Sequence, residues 1–360
     1  MAKNVTARIR NRQIVSRLHA GDEHAIAAAY NQAGDKYEAY ADGDLQDPNS
    51  FQGQYAYGDR RIWAVLDDKL RTLCSKGARS IRILDLGCGP GTWLCRPVTR
   101  AWALGFTSIT ARGIDIADEQ VRRAQTRSRN LAALGGVSLD FEIGDICTRL
   151  PEADESIDLC VCLYGVLNHI PRDRLPRVLA EVARVTCGDF VTAVRAVGST
   201  PTIFVDAVEE ARWFWYDRRA SRLEAELQNG RRISFDFRLF GAAELKALAA
   251  AYFELKDLRG LDLFHGRFAG DRRWNPPSSV VSAQFAGELE RLEELYCRDA
   301  EFVDHATHLL LEAAPRKRGA AVDNPKMTCV NSTLRLRLSD RCAHAASASP
   351  PEARDVNRQP

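Results

Sequence analysis

The stretch ILDLGCGPGTW, residues 83–93, decides the fold of this chain. Its apolar first half ends around Asp85, and glycines then stand at every second position: Gly87, Gly89 and Gly91. Glycine lets the backbone turn sharply and lets a ligand approach without a Cβ in the way. A helix that begins directly afterwards offers unpaired N–H groups. The stretch therefore predicts a strand, a ligand-binding turn and a helix in succession.

From Ser80 onwards, the chain alternates between strand and helix patterns. Strict alternation over Val137–Ile143 predicts an edge strand, whereas the nearly unbroken apolar run Ile157–Leu163 predicts a strand buried on both faces. Such alternation predicts an α/β fold, a parallel sheet with helices on both faces. The remaining predicted strands are Ile109–Ile116, Phe190–Val194, Tyr252–Leu258 and Thr307–Leu311.

The acidic residues around the glycine loop resemble those of class I S-adenosylmethionine (SAM)-dependent methyltransferases. Asp85 stands two residues before GxGxG, Asp115 ends the second predicted strand, and Asp145 follows the third. The segment Leu163–His169 is similar to the one after the fourth strand of small-molecule methyltransferases. The resemblance covers roughly residues 30–313 and is nearest to the bacterial small-molecule and quinone-biosynthesis branch.

The resemblance implies a Rossmann-like, seven-stranded, mostly parallel sheet with a reversed last strand, and SAM as the cofactor. Gly87 and Asp115 are 28 residues apart. The usual separation between such a loop and the acidic residue that binds the ribose is about 20 residues. Asp118 is therefore the alternative candidate for the ribose-binding residue. The cofactor-binding residues that the resemblance implies are Asp85, Gly87, Cys88, Gly89, Gly91, Asp115, Ile116, Asp145, Ile146 and Leu163.

The residues that would bind the methyl acceptor are less clearly marked by the sequence pattern. His169 is the candidate catalytic base, and a packing role at the entry of a helix is the alternative. The Arg-rich loop at 260–277 either binds an anionic acceptor or pairs with nearby Asp side chains. The candidate substrate-binding residues are Tyr37, Tyr40, Tyr164, Asn168, Arg195, Arg267 and Trp274. The implied reaction is methyl transfer to an O, N or C atom of a small molecule.

Three regions differ in composition. Residues 1–60 form a predicted helical N-terminal segment that is rich in Tyr and is a candidate lid. Residues 61–315 form the predicted methyltransferase domain, with an acceptor-side insertion near 195–300, in which we predict that Trp213–Tyr216 lie on a helix. Residues 316–360 hold nine Lys or Arg, four Asp or Glu and no aromatic residue, which predicts a disordered basic tail.

Composition narrows the function classes. A formal charge of +2 disfavours a general nucleic-acid binder, so a tRNA- or RNA-modifying methyltransferase is an alternative that needs a local Arg cluster. A non-catalytic SAM-binding protein and an NAD-dependent oxidoreductase are two further function classes that the glycine loop could serve. Ten scattered Cys without a CxxC pair predict no metal site and a reducing cytoplasm. We expect no secretory signal, membrane span or nucleic-acid partner, and the sequence does not indicate an oligomeric state.

Overall fold

The computed structural model describes residues 25–31, 51, 56–199, 211–227, 230, 232–265 and 283–316. The chain divides into two units, Met1–Arg318 and Gly319–Pro360, and all described residues belong to the first. The predicted basic tail lies outside the described residues beyond residue 316, and most of the predicted N-terminal segment lies outside them too.

Seven strands form the central sheet and three more form a small second sheet. The strands are β1 (Ser80–Leu86), β2 (Ser108–Asp115), β3 (Val137–Ile143), β4 (Ile157–Cys162), β5 (Thr186–Arg195), β6 (Ala211–Asp217), β7 (Arg222–Leu227), β8 (Arg232–Asp236), β9 (Phe253–Leu261) and β10 (His308–Pro315). The order in the central sheet is β3-β2-β1-β4-β5-β10-β9. The pairs from β3 through β5 are parallel, whereas β10 runs antiparallel to both of its neighbours. The predicted fold class is therefore confirmed, including the reversed last strand.

Helices connect the strands and cover the sheet. They are α1 (residues 25–31), α2 (Ala56–Ser75), α3 (Thr92–Ala103), α4 (Asp118–Arg127), α5 (Arg129–Ala132), α6 (Leu175–Val185), α7 (Ala242–Ala250) and α8 (Ala283–Tyr296). Short 3-10 helices span Val166–His169 and Val303–His305. Within the described ranges, no helix is both long enough and apolar enough to cross a membrane.

The burial of the strands follows their place in the sheet. As predicted, β3 is an edge strand whose Ser138, Asp140 and Glu142 are exposed, and β4 lies between β1 and β5 with five of its six residues buried. Alternating side chains of each central strand enter two apolar layers, so that Ile83 packs on one face and Leu84 on the other. These two layers hold the strand ends, and therefore the loops after them, in fixed positions.

The prediction of a helix at Trp213–Tyr216 is wrong. These residues lie in β6, which pairs with β7, and β7 pairs with β8 in the antiparallel second sheet. Trp213 and Trp215 are exposed, while Tyr216 packs on the cluster that also contains Ile26 and Phe235. Adjacent aromatic residues suit a strand, because they alternate between its faces and have high β-propensity. This sheet lies within the predicted insertion and packs against α1.

Removal of a core ring should destabilise the described unit strongly. Phe190 in β5 is fully buried and its ring stacks on Phe253 of β9 with centroids 5.0 Å apart. We expect Phe190→Ala to lower the free energy of unfolding by about 3–5 kcal/mol, because a large cavity remains where the ring was. Leu295→Ala is the control, since Leu295 is exposed and its truncation should change that free energy by less than about 0.5 kcal/mol. Urea titration monitored by circular dichroism measures both; equal losses would contradict the packing described here.

Candidate functional site

The loop after β1 packs closely against two neighbouring segments. Gly87, Gly89 and Gly91 all have positive φ, at 71°, 52° and 77°. The Gly87 N–H donates to the carbonyl of Ile114 in β2 at 2.7 Å. A Cβ on Gly87 would lie 2.2 Å from Cγ2 of Val166, in the segment after β4. Glycine is therefore required at this position both by the backbone conformation and by the space available.

Asp115 at the end of β2 holds this loop in place. Its Oδ2 accepts from the Gly89 N–H at 2.8 Å, and its Oδ1 accepts from the Ala117 N–H at 2.9 Å. Burial raises the pKa of Asp115, and these two N–H groups counteract that rise. Asp118, the fallback from sequence, instead hydrogen-bonds to Asn31 and does not line the cleft described below.

Asp85 is a buried carboxyl group directly behind the loop. Its exposure is 2%, and its Oδ2 has no hydrogen-bond partner among the residues that the structure describes. Burial, and then the charge of Asp115, raise the pKa of Asp85 to about 8. A buried carboxyl oxygen without a donor is costly unless a ligand supplies one. The pair of Asp85 and Asp115 therefore suits a ligand that brings N–H or O–H donors and positive charge.

A cleft of about 780 Å³, including the space open to solvent at its mouth, lies over the ends of β1, β2 and β4. Asp145 is on its wall, and the Asp145 Oδ1 accepts from the Cys147 N–H at 2.8 Å, which fixes the turn after β3. The residues named from sequence that line this cleft are Gly87, Gly89, Asp115, Ile116, Asp145, Ile146, Tyr164 and His169. The structure thus brings together residues from four separate loops.

The helical stretch α1 contributes the other wall of the cleft. Ile26 and Tyr30 line it, and the Tyr30 carbonyl accepts from Gln120 Nε2 at 2.8 Å. Ile26 and Gln120 were not identified from sequence, because an Ile on an N-terminal helix and a Gln on a charged helix look like ordinary packing and surface residues. The Tyr-rich composition was the one signal that pointed to this segment. Tyr37 and Tyr40 lie outside the described residues.

His169 faces both the cleft and the second sheet. Its Nε2 is 2.9 Å from the Tyr30 hydroxyl, and its ring makes an edge contact with Phe237 at 4.9 Å between centroids. Burial lowers the pKa of His169 to about 4, so the imidazole is neutral at neutral pH. A base of such low pKa is weak. Of the two roles that the sequence leaves open for His169, these contacts favour packing and attachment of α1.

The remaining candidate residues have other positions. Cys88 and Leu163 are buried in the apolar layer, and Gly91 caps α3. The amide of Asn168 binds backbone groups: its Oδ1 accepts from the Arg195 N–H at 2.9 Å, and its Nδ2 donates to the Arg195 carbonyl at 3.1 Å. Arg195 is itself buried, with its Nη1 3.5 Å from His308 Nε2. Arg267 and Trp274 lie outside the described residues.

Comparison with known proteins matches the part of the chain that carries this cleft. Residues 83–187 match the family model described as a methyltransferase domain. Over these residues the chain is similar to methyltransferase domains. The match agrees with the family that the resemblance implied, and the observed strand order confirms the implied fold. The matched residues run from β1 to the start of β5, and thus include the glycine loop, Asp115, Asp145 and the segment after β4.

Individual relatives match over similarly short stretches. A 37.1 kDa protein in transposon TN4556 of Streptomyces fradiae is 43% identical over 102 residues, which is 28% of this chain and 26% of that protein. Methyltransferase GfsG of Streptomyces halstedii is 31% identical over 103 residues, 29% of this chain and 34% of the relative. The solved geranyl diphosphate C-methyltransferase of Streptomyces coelicolor is 14% identical with a TM-score of 0.45, over 82% of this chain and 98% of that one. The chain thus spans about a third or less of the length of these two sequence relatives.

The packing around Gly87 can be tested through cofactor affinity. Gly87→Ala places a methyl group against Val166 at a positive-φ position, so we expect the loop to shift and affinity for S-adenosylhomocysteine (SAH) to fall below detection. Gly77→Ala is the matched control: Gly77 has φ 87° and open space around it, so only the backbone cost of roughly 1–2 kcal/mol applies. Calorimetry with SAH and thermal melting separate the two effects. Equal loss of affinity in both variants would contradict the close packing.

Proposed function

We propose that this protein transfers the methyl group of SAM to a small molecule that binds in the cleft beside α1. The observation that carries the proposal is the joint placement of the glycine loop and three carboxyl groups, Asp85, Asp115 and Asp145, at the ends of β1–β3. When bound, SAM supplies a methyl group on a positively charged sulfur, which needs little further activation.

The residues present fit the parts of this cofactor. Asp85 offers an unpartnered buried oxygen to the ammonium group of the methionine part. Asp115 retains acceptor capacity for the ribose hydroxyls after binding the Gly89 and Ala117 N–H groups, because each carboxylate oxygen accepts more than one bond. Asp145 and Ile146 stand where an adenine ring would meet one acceptor and one apolar side chain. These roles follow the family pattern residue by residue and are part of the proposal.

The properties of the cleft favour a small molecule as the methyl acceptor over a macromolecule. The lining of the cleft is mainly apolar with a few polar groups, as is typical of small-molecule sites, and Ile26 and Tyr30 of α1 form part of its wall. The whole chain is close to neutral at +2, which offers little attraction for RNA. The acceptor would enter beside Tyr164 and Val166, since the ends of β1–β3 hold the groups suited to the cofactor.

The role of Asp85 predicts that cofactor binding releases protons. Below pH 8 the Asp85 carboxyl of the free protein is largely protonated, and an ammonium group beside it favours the ionised form. SAH affinity should therefore rise with pH up to about 8, with up to one proton released per site. Calorimetry in two buffers that differ in ionisation enthalpy measures this release. Asp85→Asn should abolish it, and Asp67→Asn, which changes a carboxylate paired with Arg71 and Arg100, should not. No release by the unaltered protein would refute this role.

The proposed activity is tested with a mixture of acceptors. Protein incubated with isotope-labelled SAM and a methanol extract of bacterial metabolites should yield a new labelled small molecule together with SAH, detected by mass spectrometry. The Gly87→Ala variant is the negative control, because we expect it not to bind the cofactor. Calorimetric binding of SAH without any labelled product in extracts from varied growth conditions would instead support a non-catalytic SAM-binding protein, and binding of NAD without SAH would support an oxidoreductase.

A further inference from the structure

The second residue after β4, Tyr164, has an uncommon backbone conformation. Tyr164 has φ 55° and Gly165 has φ 87°, so two successive left-handed residues turn the chain sharply. An aromatic residue rarely adopts this conformation, and it persists only where its surroundings impose it, often at functional sites. The Gly165 N–H donates to the carbonyl of Ala193 in β5 at 3.0 Å, which fixes the turn to the sheet.

The turn directs the Tyr164 side chain along the acceptor end of the cleft. Tyr164 lines the cleft together with Gly87 and Val166. Its ring lies between Trp93, with centroids 5.8 Å apart, and His308, with centroids 5.2 Å apart in an edge-to-face contact. The ring therefore has little freedom to rotate away from the place where the cofactor side and the acceptor side meet.

The Tyr164 hydroxyl donates to Oδ1 of Asp59. Asp59 is on the first turn of α2 and is 5% exposed. The start of α2 is held to the end of β9, because the Gly58 N–H donates to Asp262 Oδ1 at 3.1 Å, and a Cβ on Gly58 would lie 2.6 Å from Asp262 Oδ2. Asp262 is thus engaged by a backbone donor, whereas Asp59 is the carboxyl group that faces Tyr164.

Charged groups from several elements surround this pair. Burial raises the pKa of Asp59 to about 8; the charge of Asp262 adds to the rise, and Arg96 of α3 and Arg60 of α2 oppose it. Burial, and then the charge of Glu293, raise the pKa of Asp262 to about 7. His308 of β10 contacts the Tyr164 ring, and Arg195 of β5 lies beside His308; burial, and then the charge of Arg195, lower the pKa of His308.

We propose that Tyr164 is the catalytic base of this site and that Asp59 acts through it as the final proton acceptor, which identifies the methyl acceptor as a hydroxyl compound. This inference rests on the proposed methyltransferase function and deepens it. A carboxylate acceptor would need no base, whereas an alcohol or phenol is a poor nucleophile until its proton leaves. The paired Tyr164 and Asp59 supply a path for that proton.

The step balances in atoms and charge. The acceptor O–H gives its proton to the Tyr164 hydroxyl oxygen, and Tyr164 passes its own proton to the Asp59 carboxylate. The acceptor oxygen forms a bond to the methyl carbon, and the electron pair of the broken carbon–sulfur bond stays on sulfur. The products are a methyl ether, a neutral thioether and protonated Asp59, which returns its proton to solvent before the next turnover.

One test needs no acceptor and uses the full chain with SAH bound. The nine tyrosines are labelled with ¹³C at Cζ, and the Tyr164 resonance is assigned by its loss in Tyr164→Phe. We expect this resonance to shift with a midpoint near pH 8 as Asp59 ionises, and to lose that inflection in Asp59→Asn. Asp67→Asn, on the same helix, is the control and should retain it. A flat response, or an inflection that persists in Asp59→Asn, overturns the pairing.

The second test measures turnover with tritiated SAM and the methanol extract of bacterial metabolites. The rate should rise with pH with a midpoint near pH 8 and level off above it, because Asp59 must be ionised to receive the proton. Tyr164→Phe should lower it by about 10²–10⁴-fold, with SAH affinity unchanged within twofold, and Asp59→Asn should remove the rise with pH. Tyr57→Phe, which removes a buried hydroxyl bonded to Glu294, should keep the unaltered rate and profile. An unchanged rate in Tyr164→Phe overturns the proposal.

The two tests separate this inference from the proposed function. If the unaltered protein binds SAH but transfers no label, the proposed function fails in the second test, while the Tyr164 titration still decides the pairing. If label is transferred but Tyr164→Phe is as active as the unaltered protein, the function stands and the assignment of the base is wrong. SAH binding and the melting temperature of each variant show whether it has folded.

Discussion

The contact between the loop after β1 and the segment after β4 is the constraint on which the site depends. Gly87 approaches Val166 so closely that no side chain fits between them, and its N–H is bonded to the end of β2. Three strand ends are thereby held at one point. Asp85 remains buried behind the loop, Asp115 receives the Gly89 N–H, and Tyr164 stands two residues from Val166 on the cleft wall. A looser loop would separate the wall of the cleft that holds Asp115 from the wall that holds Tyr164.

The helix α1 completes the cleft, and the second sheet packs against that helix. The apolar face of β7 and β8 packs on Ile26 and Ala29, and the same helix places Tyr30 against His169. His169 touches Phe235 and Phe237 on its other side. A single histidine therefore joins the segment after β4, the covering helix and the inserted sheet, which explains why it is buried and neutral.

The strands of the central sheet, and the loops that line the cleft at their ends, could be predicted from sequence because their signals are local. Glycines at fixed spacing, an acid at each strand end and unbroken apolar runs all follow from what one strand or turn requires. The inserted strands were missed because four adjacent aromatics satisfy a strand and a buried helix equally when their partners are unknown. Asp59 was missed for a different reason: its importance comes from Tyr164, 105 residues away, and no local pattern marks that contact.

Buried acids lie next to residues that line the cleft: Asp85 is two positions before Gly87, and Asp59 accepts from the Tyr164 hydroxyl. Asp85, Asp59 and Asp262 have pKa values raised to about 8, 8 and 7, so the folded protein holds protons there that an unfolded chain would release. Because the pKa values of these groups are higher in the folded state than in the unfolded chain, the groups stabilise the folded state least above pH 8. Above that pH all three are both charged and buried. Arg96 and Arg60 offset part of this cost at Asp59, but Asp85 has no such partner among the described residues. A ligand with an ammonium group and a sulfonium would supply the missing positive charge, so cofactor binding and stability should be coupled most strongly at alkaline pH.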